Sequence, residues 1–256
     1  MLIAQISDTH LLEKGEAADW RLACLKRAVD TIAALSPAAD LVIHTGDIAH
    51  NATAAEYALA RAELQRLTMP VLATVGNRDR REAFLAAFSG RDLIPGGLAL
   101  AQYGVVVDGV RMLAIDSLDD TRGFGTYPAD RLADLERWLA LSPDLPTLAF
   151  MHHPVLAIAE LDEPLQFTHA SEAAALAERL ARIPRLLGVL AGHIHRPATA
   201  EQAGVRLSTM PAIATDLRKG SYAPDLADVP ILHLHRLMPD GLHTEPHAAR
   251  PAPAND

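Results

Sequence analysis

The chain has 256 residues, of which 50% are hydrophobic and 21% charged, so it carries enough apolar surface to fold and is not a disordered polymer. Its 32 acidic and 23 basic side chains leave a net charge of −9, which argues against a protein built to hold a nucleic-acid backbone. A single cysteine, Cys24, excludes an intrachain disulfide and, between Leu22 and Leu25, reads as a small buried thiol.

Taken from the N-terminus, residues 2–7 read as a strand. They lack a basic leader and meet Asp8 early, so they are not a signal peptide, and no apolar run reaches ~18 residues. The expected setting is the cytoplasm, away from membranes. Residues 20–35 read as a helix with Leu22, Leu25, Val29 and Ile32 on one face. Residues 40–45 form a short apolar run of the buried-strand kind. Thr53 and Glu56 form a capping box that opens a helix to about residue 67. Residues 71–75 predict a strand and 80–88 a helix. Residues 98–107 and 110–116 flank Asp108-Gly109, a hairpin dipeptide. Pro128 opens a helix to about residue 141, with proline in the first turn. Strands follow at 147–151 and 186–191, with a helix at 171–183 between them that Pro184 stops. Residues 205–209 and 230–236 are the last predicted strands. No linker divides residues 1–245, which read as one domain, and 246–256 read as a frayed Pro/Ala-rich tail. Alternating βα units with hairpins predict an α/β fold of two mixed sheets packed face to face, with helices outside.

The polar residues fall just past the predicted strand ends. Asp8 and His10 follow the first strand, Asp47 the second and Asn77 the third. His152 follows the 147–151 strand, and His193 and His195 follow the 186–191 strand. That edge is where α/β sheets bind ligands. Asp8-x-His10 and His193-x-His195, read as extended, each place two side chains on one side. Gly46, Gly76 and Gly192 precede three of the positions and allow close backbone approach. Imidazole with carboxylate suits first-row transition metals. Seven such side chains exceed one tetrahedral site and suit two ions roughly 3.5–4 Å apart. Two divalent ions outweigh Asp8 and Asp47, so the pocket is positive within an acidic chain and attracts phosphate.

Asp-x-His, Gly-Asp, Gly-Asn, His and Gly-His-x-His in this order resemble the calcineurin-like metallophosphoesterase superfamily across roughly residues 1–215. His152-His153-Pro154, Gly192 through Pro197, and Asp116-Ser117 before a helix ending in Trp138-Leu139 resemble its bacterial class III cyclic-nucleotide phosphodiesterases and glycerophosphodiesterases. The resemblance implies a four-layer α/β/β/α sandwich and a dinuclear centre of two divalent ions, manganese, iron, zinc or cobalt. It implies that Asp8, His10 and His195 hold one ion, that Asn77, His152 and His193 hold the other, and that Asp47 bridges them. A metal-bound hydroxide then attacks the phosphorus of a small phosphodiester, with Asp47, Asn77 and Arg78 as catalytic residues.

Arg78 departs from the family, which has histidine after Gly-Asn. A guanidinium binds phosphate oxygens but does not readily donate a proton near neutral pH. Arg78 serves either that role or a pairing with Asp79 or another acid, and the sequence leaves both open. His153 reads as a residue orienting a ligand, His44 as core, and His50 as a loop residue or substrate rim. His169, in Phe167-Thr168-His169, lies in an irregular stretch with room to border the substrate. His233 and His235 read as a surface face, His243 and His247 as tail. Asp216, Arg218 and Tyr222 fall in a loop near the pocket.

The expected substrate is a cyclic nucleotide or a glycerophosphodiester. A phosphomonoesterase, a broad phosphoesterase and a non-catalytic scaffold are the alternatives. No nucleic-acid polymer is expected as partner, because the basic residues do not cluster. An exposed strand near residues 231–234 would suit a homo-oligomer.

Overall fold

A computed structural model describes residues 1–158, 161 and 165–250. The elements run β1 (Leu2–Ile6), α1 (Ala18–Ala33), β2 (Leu41–His44), α2 (Ala54–Leu64), β3 (Val71–Ala73) and α3 (Arg81–Phe88). They continue with β4 (Tyr103–Val107), β5 (Val110–Ala114), α4 (Ala129–Ala140), β6 (Thr147–Phe150), α5 (Ala170–Ala181) and β7 (Leu186–Ala191). Strands β8 (Ala198–Gln202), β9 (Val205–Thr209), β10 (Ile231–Met238) and β11 (Gly241–Ala248) complete the chain. One sheet has the order β11-β10-β1-β2-β3 and the other β4-β5-β6-β7-β9-β8. Both mix parallel and antiparallel pairs.

Two apolar cores give this arrangement its four layers. The first joins the inner residues of α1–α3 to β1–β3 and continues between the sheets to Met112, Phe150 and Leu190. The second lies under α4 and α5, where Leu135, Leu139, Leu176 and Leu180 cover Leu113, Ala149 and Val189. Leu135 and Leu139 are one turn apart on α4, as are Leu176 and Leu180 on α5, so each helix buries a single stripe. Each buried leucine contributes about 1.5–3 kcal/mol. The predicted capping box is present: Thr53 Oγ1 accepts from Glu56 N–H, and the Glu56 carboxylate accepts from Thr53 N–H, both at 3.2 Å.

Register brings the site together. Ile6 pairs with His44, and His44 with Ala73, so β1, β2 and β3 end level. Phe150 pairs with Leu190, so β6 and β7 also end level. Buried Gln5 ties the two sheets at this edge: its Nε2 donates to Thr45 Oγ1 at 3.0 Å and to the Ala191 carbonyl at 3.1 Å.

The structure corrects several expectations. Two strands were not predicted, β8 and β11. Residues 246–248 finish β11 and are not tail, and Ala249 N–H still donates to the Pro230 carbonyl. Pro246 fits there because β11 is an edge strand. Residues 251–256 lie outside the described residues. His243 and His247 belong to β11. Residues 231–234 are not an exposed edge, because β10 sits between β1 and β11. Pro128 caps α4 from outside the helix.

His233 and His235 are buried and do not form a surface face. They point between the sheets, where His235 Nε2–H donates to Gln5 Oε1 at 3.0 Å and Nδ1 accepts from Thr244 Oγ1 at 2.8 Å. Burial lowers His233 to about 4 and His235 to about 3, and lowers core residue His44 to about 3. These groups stay neutral when folded yet take a proton near pH 6.5 when unfolded. The unfolded chain therefore binds more protons below pH 6.5, and folding stability falls as pH drops. Each such histidine contributes about 1.4 kcal/mol per pH unit. Asp79, raised to about 6 by burial, opposes the trend, as do His152 and His195, which neighbouring carboxylates raise against burial, but the lowered histidines outnumber these three. Urea unfolding of metal-stripped protein will show stability dropping steeply from pH 6.5 to 5; a flat profile would contradict the neutral assignment.

Candidate metal centre

All seven residues singled out by the sequence meet at the shared edge of the two sheets. Asp8 N–H donates to the Gly46 carbonyl and His10 N–H to the Asp47 carbonyl, which locks the turns after β1 and β2 together. Five of the seven residues have left-handed backbones: Asp8 (φ 54°), His10 (43°), Asp47 (53°), His193 (71°) and His195 (58°). Such conformations cost of order 1–3 kcal/mol each and collect at functional sites.

The turns revise one expectation. Asp8-x-His10 and His193-x-His195 are not extended segments. The left-handed residues send His193 and His195 to different clusters. His195 Nε2 lies 3.2 Å from Asp8 Oδ1 and 3.2 Å from His10 Nε2. His193 Nδ1 lies 2.9 Å from Asn77 Oδ1 and 3.2 Å from His152 Nε2. Asp47 stands between the clusters, its Oδ2 3.3 Å from His10 Nε2 and 3.5 Å from His152 Nε2. Glycine is required beside it: at Gly46 (φ 93°) a Cβ would meet Gly76 N and His152 Nδ1 at 2.8 Å, and at Gly192 a Cβ would strike Ser7 Oγ.

The donor set calls for cations. His152 Nδ1–H donates to the Thr45 carbonyl at 2.8 Å and His193 Nε2–H to Gln166 Oε1 at 3.2 Å. When neutral, both rings therefore turn a bare nitrogen toward Asn77 Oδ1, which is itself an acceptor. His195 Nδ1–H likewise donates to the Leu217 carbonyl at 2.9 Å and frees Nε2 for Asp8. Holding the outer nitrogen is how metal-binding histidines are oriented. Lone pairs converging on one point repel unless a positive charge lies among them.

Electrostatics agree. Burial pushes Asp8 and Asp47 up, but the surrounding histidines outweigh it and hold Asp8 well below the carboxylate range and Asp47 at about 2. Burial lowers His10 to about 4 and His193 to about 3. Burial also lowers His152 and His195, but Asp47 acting on the first and Asp8 on the second reverse this, taking His152 to about 9 and His195 upward. The two carboxylates thus create a field that favours positive charge at each cluster.

The remaining candidates fall around this core. Among the described residues, Arg78 forms an ion pair neither with Asp79 nor with another acid. Its N–H donates to Asp47 Oδ1 at 2.7 Å, and its exposed guanidinium meets His50 Nε2 at 2.8 Å. His50 is therefore no free loop residue, since it reaches His10. His153 packs on the rings of His152 and His193, with centroids at 5.0 and 4.6 Å, and holds Ser117 Oγ through Nδ1. His169 is the exposed residue preceding α5 and stands apart from the cluster. Asp216 receives two bonds from Arg21, while Arg218 braces its own loop through the Val229 and Leu226 carbonyls and lies over Tyr222.

Sequence reasoning missed Asp79, Arg21 and Gln166 as supports. Asp79 accepts from the N–H groups of Ile48, Ala49 and Gly76 and from Tyr57 Oη. It joins the Asp47 turn to the Asn77 turn. An aspartate two residues after Asn77 was the only available signal. Gln166 and Arg21 carried none, because their partners are distant in sequence.

Comparison with known proteins agrees with this geometry. The chain is 30% identical over 244 residues to a probable glycerophosphodiester phosphodiesterase of Arcobacter nitrofigilis, covering 92% of this chain and 88% of that one. It is 28% identical over 225 residues to a 3',5'-cyclic adenosine monophosphate phosphodiesterase of Pseudomonas aeruginosa, covering 86% and 79%. Its fold is similar to a dimetal phosphatase from Danio rerio (TM-score 0.75, 17% identity, 97% and 96% covered). The model of the calcineurin-like phosphoesterase family matches residues 1–197, and with seven polar residues gathered where two mixed sheets end together, the chain belongs to that family.

Proposed function

We propose that the chain is a dinuclear metal-dependent phosphodiesterase acting on small phosphodiesters, a cyclic nucleotide or a glycerophosphodiester. The observation that carries this reading is Asp47, whose single Oδ2 reaches both clusters. Asp8, His10 and His195 would hold one ion and Asn77, His152 and His193 the other, with Asp47 shared. Bound divalent ions supply Lewis acidity and make water a competent nucleophile near neutral pH. The chain's own residues do the rest. Thr45, Leu217 and Gln166 fix the tautomers of three histidines. Asp79 holds the two turns, and the Arg78 guanidinium attracts phosphate oxygens. The named activities of the two relatives support the choice of diesters. No helix among the described residues is long and apolar enough to cross a membrane.

The test is the initial rate on bis-p-nitrophenyl phosphate for metal-stripped protein reloaded with Mn²⁺, Fe²⁺, Zn²⁺ or Co²⁺. Turnover will require metal, with two ions per chain by mass spectrometry. Metal at 100-fold its dissociation constant will also stabilise the fold by about 2.7 kcal/mol, read as a rise in Tm that EDTA reverses. Protein that takes up no metal and cleaves no phosphodiester would refute the proposal.

A further inference from the structure

His50 lies among three side-chain nitrogens, two of them on arginines that can only donate. Its Nδ1 is 3.4 Å from His10 Nδ1 and 3.3 Å from Arg21 Nη1, and its Nε2 is 2.8 Å from Arg78 Nη2. A neutral imidazole has one bare nitrogen and accepts at one end only. Arg21 and Arg78 therefore compete for a single lone pair from opposite sides. They are not equally free. Arg21 is buried, donates twice to Asp216 Oδ2 and donates once to the His10 carbonyl. The Arg78 side chain is exposed.

His10 decides the contest. Its Nε2 faces Asp8, Asp47 and His195. A histidine that ligates through Nε2 carries its hydrogen on Nδ1 and gives it to an outer partner. The acceptor in reach is His50 Nδ1. His50 then accepts at Nδ1 from His10 and Arg21 and carries its own hydrogen on Nε2, where it faces Arg78. Two donors do not share that contact, and the exposed arginine is the one able to turn away.

We propose that His50 Nε2–H and the Arg78 guanidinium form a pair of donors, set by His10, that takes nonbridging oxygens of a phosphoryl group at the mouth of the centre. This rests on the phosphodiesterase reading of the same site. The backbone keeps Arg78 in place, because its N–H donates to Asp47 Oδ1. The planar guanidinium matches two phosphate oxygens, and the imidazole adds a directional donor beside it. The pair puts positive charge at the rim of a chain whose net charge is −9.

The probe is inorganic phosphate, titrated into protein at saturating Mn²⁺ with bound manganese counted for every variant. Arg78→Ala and His50→Ala will each weaken phosphate roughly ten- to hundredfold, the loss of one hydrogen bond to a charged group. His50→Gln, which keeps an N–H donor, will recover part of the loss. The double variant will lose less than the product of the two single effects, because the donors act together. Unchanged phosphate affinity in both single variants at full manganese would overturn the proposal. So would weakening that tracks only lost manganese or lost fold. A wild-type protein that binds no metal and cleaves no diester defeats the phosphodiesterase reading, and the donor pair falls with it. Wild-type turnover with variants that bind phosphate normally defeats the donor pair alone.

Discussion

Asp47→Asn will lower turnover of a phosphodiester by about a thousandfold or more and reduce bound metal below two ions per chain. The substitution keeps the shape of the side chain and an oxygen for Arg78 N–H, which donates to Oδ1 at 2.7 Å. It removes the charge that both clusters share through Oδ2. Asp8 is then the one carboxylate left among the four histidines, and the attraction of the site for divalent ions falls accordingly. Lewis-acid stabilisation is worth several kcal/mol, and each 1.36 kcal/mol is tenfold in rate, which sets the scale. Rates at saturating Mn²⁺, with metal counted on the same sample, decide the matter. A variant with full metal and wild-type rate would show that Asp47 does not join the two clusters.

Asp79→Ala carries the largest expected loss of stability. The carboxylate is buried and accepts four hydrogen bonds, at 3.2 Å from Ile48 N, 3.1 Å from Ala49 N, 2.9 Å from Gly76 N and 2.9 Å from Tyr57 Oη. Alanine leaves those donors without a partner, each costing about 1–3 kcal/mol before relaxation. A net loss of about 3–5 kcal/mol follows, a large part of the 5–15 kcal/mol typical of a domain. Chemical unfolding of metal-stripped protein isolates this loss from metal binding. Asp79→Asn will cost less, since its carbonyl still serves two of the donors. Turnover will fall as well, because the Asp47 and Asn77 turns lose their common anchor. Equal stability for Asp79→Ala and wild type would remove Asp79 from this role.

The elements legible in the sequence were those whose signals are local. Strand ends, the Thr53–Glu56 capping box and the Asp108-Gly109 hairpin depend on residues within a few positions of each other. The same turn occurs between β8 and β9, with Ala203 at φ 51° and Gly204 at φ 81°, against 48° and 77° for Asp108 and Gly109. Alanine rarely adopts that conformation, so the Ala203 turn carried no signal and β8 was missed. Strand β11 was hidden by Pro246 and the alanines that follow. The burial of His235 was illegible because its polar partners, Gln5 and Thr244, come from neighbouring strands, and His233 shares its face of β10.

The amino-acid sequence alone determined the alternation of strands and helices and the position of seven polar residues past strand ends. It also set the residue types that suit a pair of metal ions. Those are properties of short segments, where spacing and side-chain chemistry suffice. Tertiary structure decided which residues meet. Left-handed backbones after β1, β2 and β7 sent His193 to Asn77 and His195 to Asp8, and set Asp47 between the two clusters. It also chose His50 as the partner of Arg78 and Asp79 as the anchor of two turns. A hydrogen bond acts over about 3 Å, so its partners are known only once distant segments have been packed side by side.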